Sequence, residues 1–453
     1  MPSKQFAADR KSPLDTALSL FADVRPGEGL TALLLALNVF LLLGLYYLLK
    51  TVREPLILTE SGAEVKSYAA AGQALLLLLL IPAYGSFAAK VDRLRLIRWV
   101  TLFFISHLAI FYLLGVAGVQ VGVAFFLWVG IFNVLVIAQF WAFANDVFTE
   151  EQGKRLFPMV GVGSSLGAWI GTLTAGKLFD VFEPAVAPYR MMLVAGAVLG
   201  VCIVVTQVVH RREALRAANR QVEAAKPLGK EGGFQLILKH RYLLLIAILI
   251  FLLNGVNTTG GFILDKLVIA QAAAVVGDVA DAEAQIKQYI GSFYGDFFSW
   301  VNLLGFLFQL LLVSRIFKYI GVRGAMYILP CIALGSYGLL IFMPVLGIVR
   351  IAKIMENSTD YSIQNTARHA LFLPTSREAK YKAKAAIDTF FWRMGDVFQA
   401  LIVFVGVQLA FEIRHFAMVN VVLVVIWLCI VVAINREHRK ISQETPEPLA
   451  KAA

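Results

Sequence analysis

LTALLLALNVFLLLGLYYLLKTVRE, residues 30–54, is a long apolar run that ends in three charged residues. A membrane-spanning helix needs about 20 mostly apolar residues, which this run supplies before it reaches Lys50. Lys50, Arg53 and Glu54 follow where the helix is still inside the hydrocarbon or just leaving it, and charge is energetically costly there. The run therefore predicts a membrane helix whose charges need a partner or a function.

The whole chain is as apolar as this run implies. Of its 453 residues, 59% are hydrophobic and only 16% are charged, whereas soluble proteins average about 25% charged residues. The net charge of +11 lies in short loops between apolar runs, a pattern that orients membrane proteins and does not indicate nucleic-acid binding. The predicted fold class is an all-α, polytopic membrane protein.

The sequence contains no signature of an enzyme or a metal site. Cys202, Cys331 and Cys429 lie in separate apolar runs and are typical of small buried hydrophobic residues. A phosphate-binding loop, a zinc-protease motif and a nucleophile elbow are all missing from the sequence. We therefore predict neither an enzymatic activity nor a cofactor.

Twelve apolar runs are long enough to cross a membrane. They lie at about 28–50, 66–89, 96–118, 121–147, 156–180, 189–210, 239–264, 291–315, 321–343, 345–372, 385–410 and 414–435. Lys and Arg are concentrated before the first run, after each even-numbered run and in the central link. Because cytoplasmic loops carry this excess, both termini are predicted to be cytoplasmic, in a multi-pass protein of the cell (inner) membrane.

The polar link at residues 211–238 divides the chain into two halves of six runs each. Two parallel six-helix repeats joined by a basic loop are the plan of the major facilitator fold. The predicted organisation is an N-terminal tail, a six-helix bundle, a basic linker, a second six-helix bundle and a C-terminal tail. Their bounds are 1–27, 28–210, 211–238, 239–437 and 438–453.

The charges after the first run have two interpretations. Side chains near a helix end can reach the interface, and Lys50 and Glu54, four residues apart, can form a structural pair. However, Arg53 lies on the same side as Lys50, so that one carboxylate faces two cations. The surplus positive charge favours an anion site, and the structural pair remains the alternative.

Polar residues also occur inside the fourth and seventh predicted spans. Asn133, Trp141 and Asn145 can contact a ligand, although tryptophan near a helix end is more often interfacial. Asn257 precedes Gly260–Gly261, where a broken helix can form a transporter site. The alternative for this segment is close helix packing through small residues.

Residues 356–373, ENSTDYSIQNTARHALFL, are the most polar part of the predicted spans. Glu356, Asp360, Asn365 and Arg368 recur at spacings of mostly three to five, which places many of them on one helical face. A face this polar is expected to line a water-filled path, because it cannot contact lipid. The alternative is a hydrogen-bond network between helices.

The eleventh predicted span begins with a basic stretch and carries three charges. Lys382 and Lys384 are expected at the cytoplasmic mouth, where anchoring to the membrane surface is an alternative explanation. Asp388, Arg393 and Asp396 follow along an otherwise apolar helix and are further candidates.

Four segments resemble a known family, the ATP/ADP translocases of plastids and obligate intracellular bacteria and their bacterial relatives. They are LLKTVREPLILTESGAE at 48–64, FWAFANDVFTEEQGKRLFPMVG at 140–161, the segment 294–330, and LFLPTSREAKYKAKAAID at 371–388. These matches occur in the same order in both halves and cover most of the chain. The resemblance implies a twelve-helix facilitator-type exchanger of nucleotides, such as ATP against ADP plus phosphate.

The motif match also carries over individual residues. Arg53 falls where the family carries a lysine next to an acidic residue, and Glu54 takes the acidic place. Asn145 falls on the asparagine of the family's Phe-Ala-Asn stretch, and the family's Lys-Ala-Ala-Ile-Asp block falls on Lys382, Lys384 and Asp388. Two positions depart from the family pattern: Asn133 is the nearest polar substitute for an acidic residue in the fourth span, and Asp396 takes the place of a lysine. These departures leave open a branch that moves another phosphorylated or anionic solute.

Three hypotheses follow from the sequence. The first is a nucleotide or phosphate-ester exchanger, monomeric in the lipid bilayer, in which cations from both halves hold phosphate: Lys50, Arg53, Arg368 and Arg393, with Asn145 and Asn257 as polar contacts. The second is a proton-coupled facilitator for a different organic anion or amphiphile, based on the carboxylates Glu54, Asp360, Asp388 and Asp396. The third is a receptor or assembly factor that transports nothing. It is disfavoured because it gives no function to the polar face at 356–368.

Overall fold

The computed structural model describes residues 12–19, 23–88, 90–214, 232–376 and 378–444, and these form helices and turns without a strand. The helices are α1 Pro13–Leu18, α2 Gly29–Glu60, α3 Gly62–Ala88, α4 Arg93–Val116, α5 Gly122–Val147, α6 Glu150–Val181, α7 Ala187–Ala214, α8 Gly233–Lys239, α9 Arg241–Val276, α10 Ala282–Leu311, α11 Val313–Phe342, α12 Leu346–Thr359, α13 Asn365–Ala370, α14 Lys384–Ala386, α15 Trp392–Gln408 and α16 Ile413–Glu444. The all-α prediction is confirmed. Much of the predicted tails and of the central linker lies outside the described residues.

Ten helices of the described chain are long and apolar enough to cross a membrane. The predicted spans at 291–315 and 345–372 are not among them. The first lies in α10, where Asp296, Asn302 and Gln309 interrupt the apolar sequence. The second is divided among α12, a π-helical turn at Asp360–Gln364 and α13. The count of twelve spans and the cytoplasmic termini therefore stay predictions.

The chain forms two compact units, each assembled from three segments. The first unit comprises the described residues within 1–60, 82–223 and 278–299, and the second unit comprises those within 61–81, 224–277 and 300–453. In the first unit, α2 packs most extensively against α6 and α7. In the second unit, α9 packs against α15 and α16, and α16 also packs against α11. The predicted domain bounds remain untested by this division.

Helices α2 and α6 approach each other closely through glycines. Gly163, Gly167 and Gly171 recur every four residues along α6, which places them on one face. A Cβ atom on Gly163 would lie 2.5 Å from the carbonyl oxygen of Ala36, and one on Gly171 would overlap the backbone of Gly44. The glycine-rich segment of α6 is thus a helix-packing surface, since only residues without a side chain permit this distance.

We expect Gly171→Ala to destabilise the first unit by about 3 kcal/mol, because the added methyl group overlaps the α2 backbone. The matched control is Gly161→Ala on the same helix, where a Cβ atom meets no other atom within 4 Å. Both substitutions raise the helix propensity by the same amount. The difference in apparent melting temperature between the two variants in detergent therefore reports the packing alone. Equal melting temperatures for the two variants would show that the helices can separate without cost.

The short N-terminal helix α1 is fastened to the start of α2 by one carboxylate. Asp15 is buried and accepts hydrogen bonds from the backbone N–H groups of Ser12 at 3.0 Å, Gly27 at 3.0 Å and Gly29 at 2.9 Å. The Ser12 hydroxyl donates a fourth bond at 2.8 Å. Burial raises the pKa of Asp15, but the four hydrogen bonds outweigh this effect. The net result is a pKa lowered from 3.8 to about 2.

The lowered pKa makes this fastening dependent on pH. The folded-state pKa lies below the unfolded-state value, so the ionised Asp15 contributes its full stabilisation above pH 4 and loses it as the pH falls toward 2. At pH 7 we expect Asp15→Asn to cost about 2 kcal/mol of stability. Unfolding at pH 7 and pH 3 measures this, with exposed Thr16→Ala as control. A difference between wild type and Asp15→Asn that stays constant with pH would contradict the assignment.

Candidate functional site

Helix α2, which corresponds to the first predicted span, extends further than the sequence predicted. Helix α2 continues through Pro55 to Glu60, so Lys50, Arg53 and Glu54 lie within the helix and not beyond its end. Arg53 donates from Nε and Nη2 to Oε1 of Glu54, at 3.1 and 2.7 Å. Its guanidinium also lies 4.4 Å from the centre of the Phe126 ring. Glu54 thus pairs with the adjacent arginine.

Lys50 occupies an aromatic environment in the same unit. Its ammonium nitrogen lies 4.3 Å from the centre of the Phe298 ring and 5.2 Å from that of Tyr47. A cation over a ring face is attracted by the ring's quadrupole, more strongly where water is excluded. Lys50 and Arg53 therefore place two cations, each against aromatic rings, on one helix of the first unit.

The candidates on α5 occupy three different environments. Asn133 is half-buried, whereas Asn145 is exposed next to Asp146, which pairs with Arg93 at 3.1 Å. Trp141 packs edge-on against two phenylalanine rings, with centroid distances of 5.3 and 5.8 Å. These ring contacts orient Trp141, and its role as a ligand contact stays a prediction.

The second unit contains a buried ion pair that the sequence analysis missed. Lys353 is 2% exposed, and its ammonium group donates to Oε2 of Glu356 at 3.0 Å. It also donates to the backbone oxygen of Asn257 at 3.0 Å and to Oδ1 of the same residue at 2.7 Å. The Tyr337 hydroxyl donates to the same Glu356 oxygen at 2.9 Å. A lysine three residues before a glutamate inside a predicted span was the available signal.

Asp360 begins the π-helical turn that follows α12, and Arg368 lies on the helix after it. Asp360 is 5% exposed, and its Oδ1 accepts no hydrogen bond from the described residues. Arg368 lies on α13 with its guanidinium 4.9 Å from the centre of the Trp392 ring, and its Nη2 donates to Oδ1 of Asn365 at 2.9 Å. Its Nε and Nη1 are buried and find no acceptor in the described chain.

Two more π-helical turns lie near the start of the eleventh predicted span: Ala379–Ala383 precedes it and Ile387–Phe391 lies within it. Lys382, at the first of them, is half-buried. Lys384 pairs with Asp388 at 2.5 Å, and both side chains remain about one-third exposed, at 27% and 34%. These residues share the second unit with Arg368.

Asp396 is tied into the second unit by neighbouring side chains. Its Oδ1 accepts a hydrogen bond from Nδ2 of Asn254 at 2.7 Å, and Arg393 approaches Oδ2 at 3.5 Å. Arg393 is therefore partly neutralised by its own helix. The buried carboxylate of Asp396 and the guanidinium of Arg393 thus form a pair without net charge beside α9.

Two further ion pairs join α3 to α9 in the second unit. Lys66 pairs with buried Asp265 at 2.8 Å, and Lys266 pairs with Glu64 at 2.7 Å. Sequence reasoning missed them because the four residues stand at the margins of predicted spans. Among the described residues, no group of three or more His, Cys, Asp or Glu side chains is placed to hold a metal ion.

The sequence profile of one family covers most of the chain. The family described as TLC ATP/ADP transporter matches residues 123–343 and 310–438. The chain belongs to this family. This TLC transporter is 21% identical over 371 residues to ADP,ATP carrier protein 1 of Chlamydia pneumoniae, a match that covers 70% of this chain and 68% of the relative. ADP,ATP carrier protein 1 of Rickettsia bellii is 20% identical over 91% of this chain and 94% of its own.

Other similarities extend this picture of the TLC transporter. The plastidic ATP/ADP-transporter of Solanum tuberosum is 21% identical over 69% of this chain and 52% of its own length. The solved nucleoside transporter NupG shares 15% identity, covers 90% of this chain and 98% of its own, and superposes with a TM-score of 0.61. A bacterial homologue of the iron transporter ferroportin, at 13% identity and 89% and 98% coverage, gives 0.62.

These findings confirm several predictions from the sequence. The fold is that of major facilitator transporters, and the family resemblance holds. The TLC transporter is a multi-pass membrane protein and a transporter, not an enzyme. The individual site residues and the exact count of spans stay predictions.

Proposed function

We propose that this TLC transporter exchanges nucleotides of the ATP/ADP type, or closely related phosphorylated anions, across the inner membrane by alternating access. The observation that carries the proposal is Arg368: a guanidinium held against Trp392, with Nε and Nη1 buried and without an acceptor in the described chain. A buried donor without a partner is energetically costly. A phosphate oxygen supplies the missing acceptor, and a guanidinium fork matches phosphate geometry.

Arg53 and Lys50 supply positive charge in the first unit. Arg53 is fixed by Glu54 and by the Phe126 ring, which orders its side chain before a substrate arrives. An ordered cation loses less conformational entropy on binding than a free one. Lys50 adds a point charge of the kind that binds phosphate without directional preference.

Asp396 departs from the family pattern, but its pairing in the structure weakens this argument against a nucleotide substrate. This carboxylate already receives a hydrogen bond from Asn254 and an ion pair from Arg393. It therefore adds no free negative charge that would repel a phosphate. The second candidate, a proton-coupled transporter of another organic anion, draws on the same residue, because an acid stands where the family has a lysine.

The remaining details are part of the same proposal. We propose a monomer with two six-helix bundles at 28–210 and 239–437, joined by the basic linker 211–238, and with no nucleic-acid partner. Light scattering of the detergent-solubilised protein measures its oligomeric state. A dimer mass would reject the monomer.

The proposal is tested by thermal stabilisation of purified protein against ATP, ADP, other phosphorylated compounds and non-phosphorylated anions. We expect a shift with ATP or ADP that is lost in Arg53→Ala, together with loss of ATP/ADP exchange in proteoliposomes. Arg414→Ala is the control, because Arg414 pairs with Glu412 where both side chains are more than half exposed. Normal exchange by Arg53→Ala would reject its role, and a shift only with a non-nucleotide anion would favour the second candidate.

A further inference from the structure

A small cavity of about 10 Å³ lies in the second unit among α9, α11, α12 and α16. This is about the space that one water molecule needs. Glu356 and Asp360 line it, together with Asn257 and Trp427. Both carboxylates are more than nine-tenths buried, at 4% and 5% exposure. Oε1 of Glu356 and Oδ1 of Asp360 accept no hydrogen bond from the described residues.

The two carboxylates differ in their access to positive charge. The Lys353 ammonium has three hydrogens to donate, and Glu356 and the two oxygens of Asn257 accept all three. Glu356 therefore has a fixed counter-ion. Asp360 forms no ion pair with a described residue. The charged groups whose fields reach it are Arg368, Lys353 and Glu356. From α11, Tyr337 faces Glu356 and not Asp360.

Physical chemistry favours a bound proton on Asp360. A carboxylate that leaves water without a hydrogen-bond donor or a contacting cation loses far more solvation energy than the neutral acid does. The like charge of Glu356 also opposes ionisation of a second carboxylate in the same cavity. A neutral acid can instead donate its O–H to an oxygen across the cavity or to a water molecule within it.

We propose that Asp360 is a proton-binding site whose occupancy sets how tightly Arg368 binds substrate phosphate. With the proton bound, Asp360 is neutral and Arg368 keeps its full attraction for phosphate. When the O–H bond breaks and water accepts the proton, the carboxylate attracts the same guanidinium and weakens its hold. Protonation and nucleotide binding therefore support each other, and by linkage nucleotide binding draws in a proton. The inference rests on the proposed function, because it needs phosphate at Arg368.

The π-helical turn gives this arrangement its geometry. Asp360 is the first residue of the turn Asp360–Gln364, and Arg368 follows on α13. Single π-helical turns interrupt α-helices frequently at functional sites. The extra residue of a π turn changes the angle between the helix faces before and after it, and beyond this turn Arg368 stacks on Trp392 and donates a hydrogen bond to Asn365.

Calorimetric titration of the purified full chain with ATP tests the proposal. At pH 8, where nucleotide phosphates are ionised, titrations in buffers of different ionisation enthalpy give the number of protons taken up per nucleotide bound. For the wild type we expect measurable proton uptake, of at most one proton per nucleotide. We also expect a dissociation constant that rises with pH, at most about tenfold per pH unit for one linked proton. We expect Asp360→Asn to take up no proton and to bind with an affinity that no longer depends on pH.

Three further proteins make the result decisive. Exposed Glu412→Gln controls for surface charge, and His369→Gln controls for the exposed histidine beside Arg368; both should take up the proton as the wild type does. Asp360→Glu keeps the acid and should retain proton uptake. It provides the test if Asp360→Asn fails to fold. ATP binding by the wild type without proton uptake overturns the inference and leaves the proposed function standing. Failure to bind any nucleotide rejects the proposed function instead.

Discussion

Replacing Arg368 with glutamine is expected to reduce ATP/ADP exchange about 100-fold, because losing a buried cation that meets a charged partner costs about 3 kcal/mol. In the structure, the Arg368 guanidinium has two buried nitrogens without an acceptor in the described chain, so its charge is available to a substrate. The Trp392 stack and the Asn365 hydrogen bond keep it in place. Uptake of labelled nucleotide by proteoliposomes measures the effect.

Two companion variants separate charge from shape. Arg368→Lys keeps the charge but loses the planar fork, and we expect an intermediate loss of about tenfold. Arg414→Gln removes a cation whose side chain is 53% exposed and paired at the surface, so exchange should stay near the wild-type rate. Wild-type exchange by folded Arg368→Gln would remove this residue from the substrate site.

Replacing Lys353 with methionine is expected to have the largest effect on stability. The change leaves Glu356 charged and buried without its cation, and breaking a buried ion pair from one side costs about 3–5 kcal/mol. Asn257 loses the donor to both of its oxygens at the same time. We expect little monodisperse protein after solubilisation and a strongly lowered melting temperature.

The double variant Lys353→Met with Glu356→Gln distinguishes an unpaired charge from lost packing. Replacing both ions with neutral side chains of similar size is often neutral for stability. We therefore expect the double variant to recover most of the stability that the single variant loses. A double variant as unstable as Lys353→Met would show that the cost lies in the shape of the lysine and not in its charge.

The membrane fold was predictable because it depends on summed properties. Apolar composition and long apolar runs identify spanning helices without knowledge of contacts, and the four motif segments identified the family. The shared face of the α6 glycines also follows from the sequence, because residues four apart on one helix lie on the same side. These are features that local sequence determines by itself.

The partners of the charged residues were less predictable, because they depend on tertiary contacts. Spacing indicated Lys50 as a partner of Glu54 but gave no sign of the pair that Glu54 forms with the adjacent Arg53. Lys353 was overlooked because one cation in an apolar run resembles a side chain that reaches the interface. Its three acceptors come from α12 and from Asn257 of α9, which lies 96 residues earlier, and no local pattern connects these segments.

The π-helical turn at Asp360–Gln364 also has a mechanical consequence. A π turn holds one residue more than the α-helical turn it replaces, so rewinding it to α geometry rotates everything that follows by about 100° about the helix axis. Arg368 lies on α13, the helix that follows this turn. Rewinding the turn would therefore change the direction in which the Arg368 guanidinium projects from the helix axis.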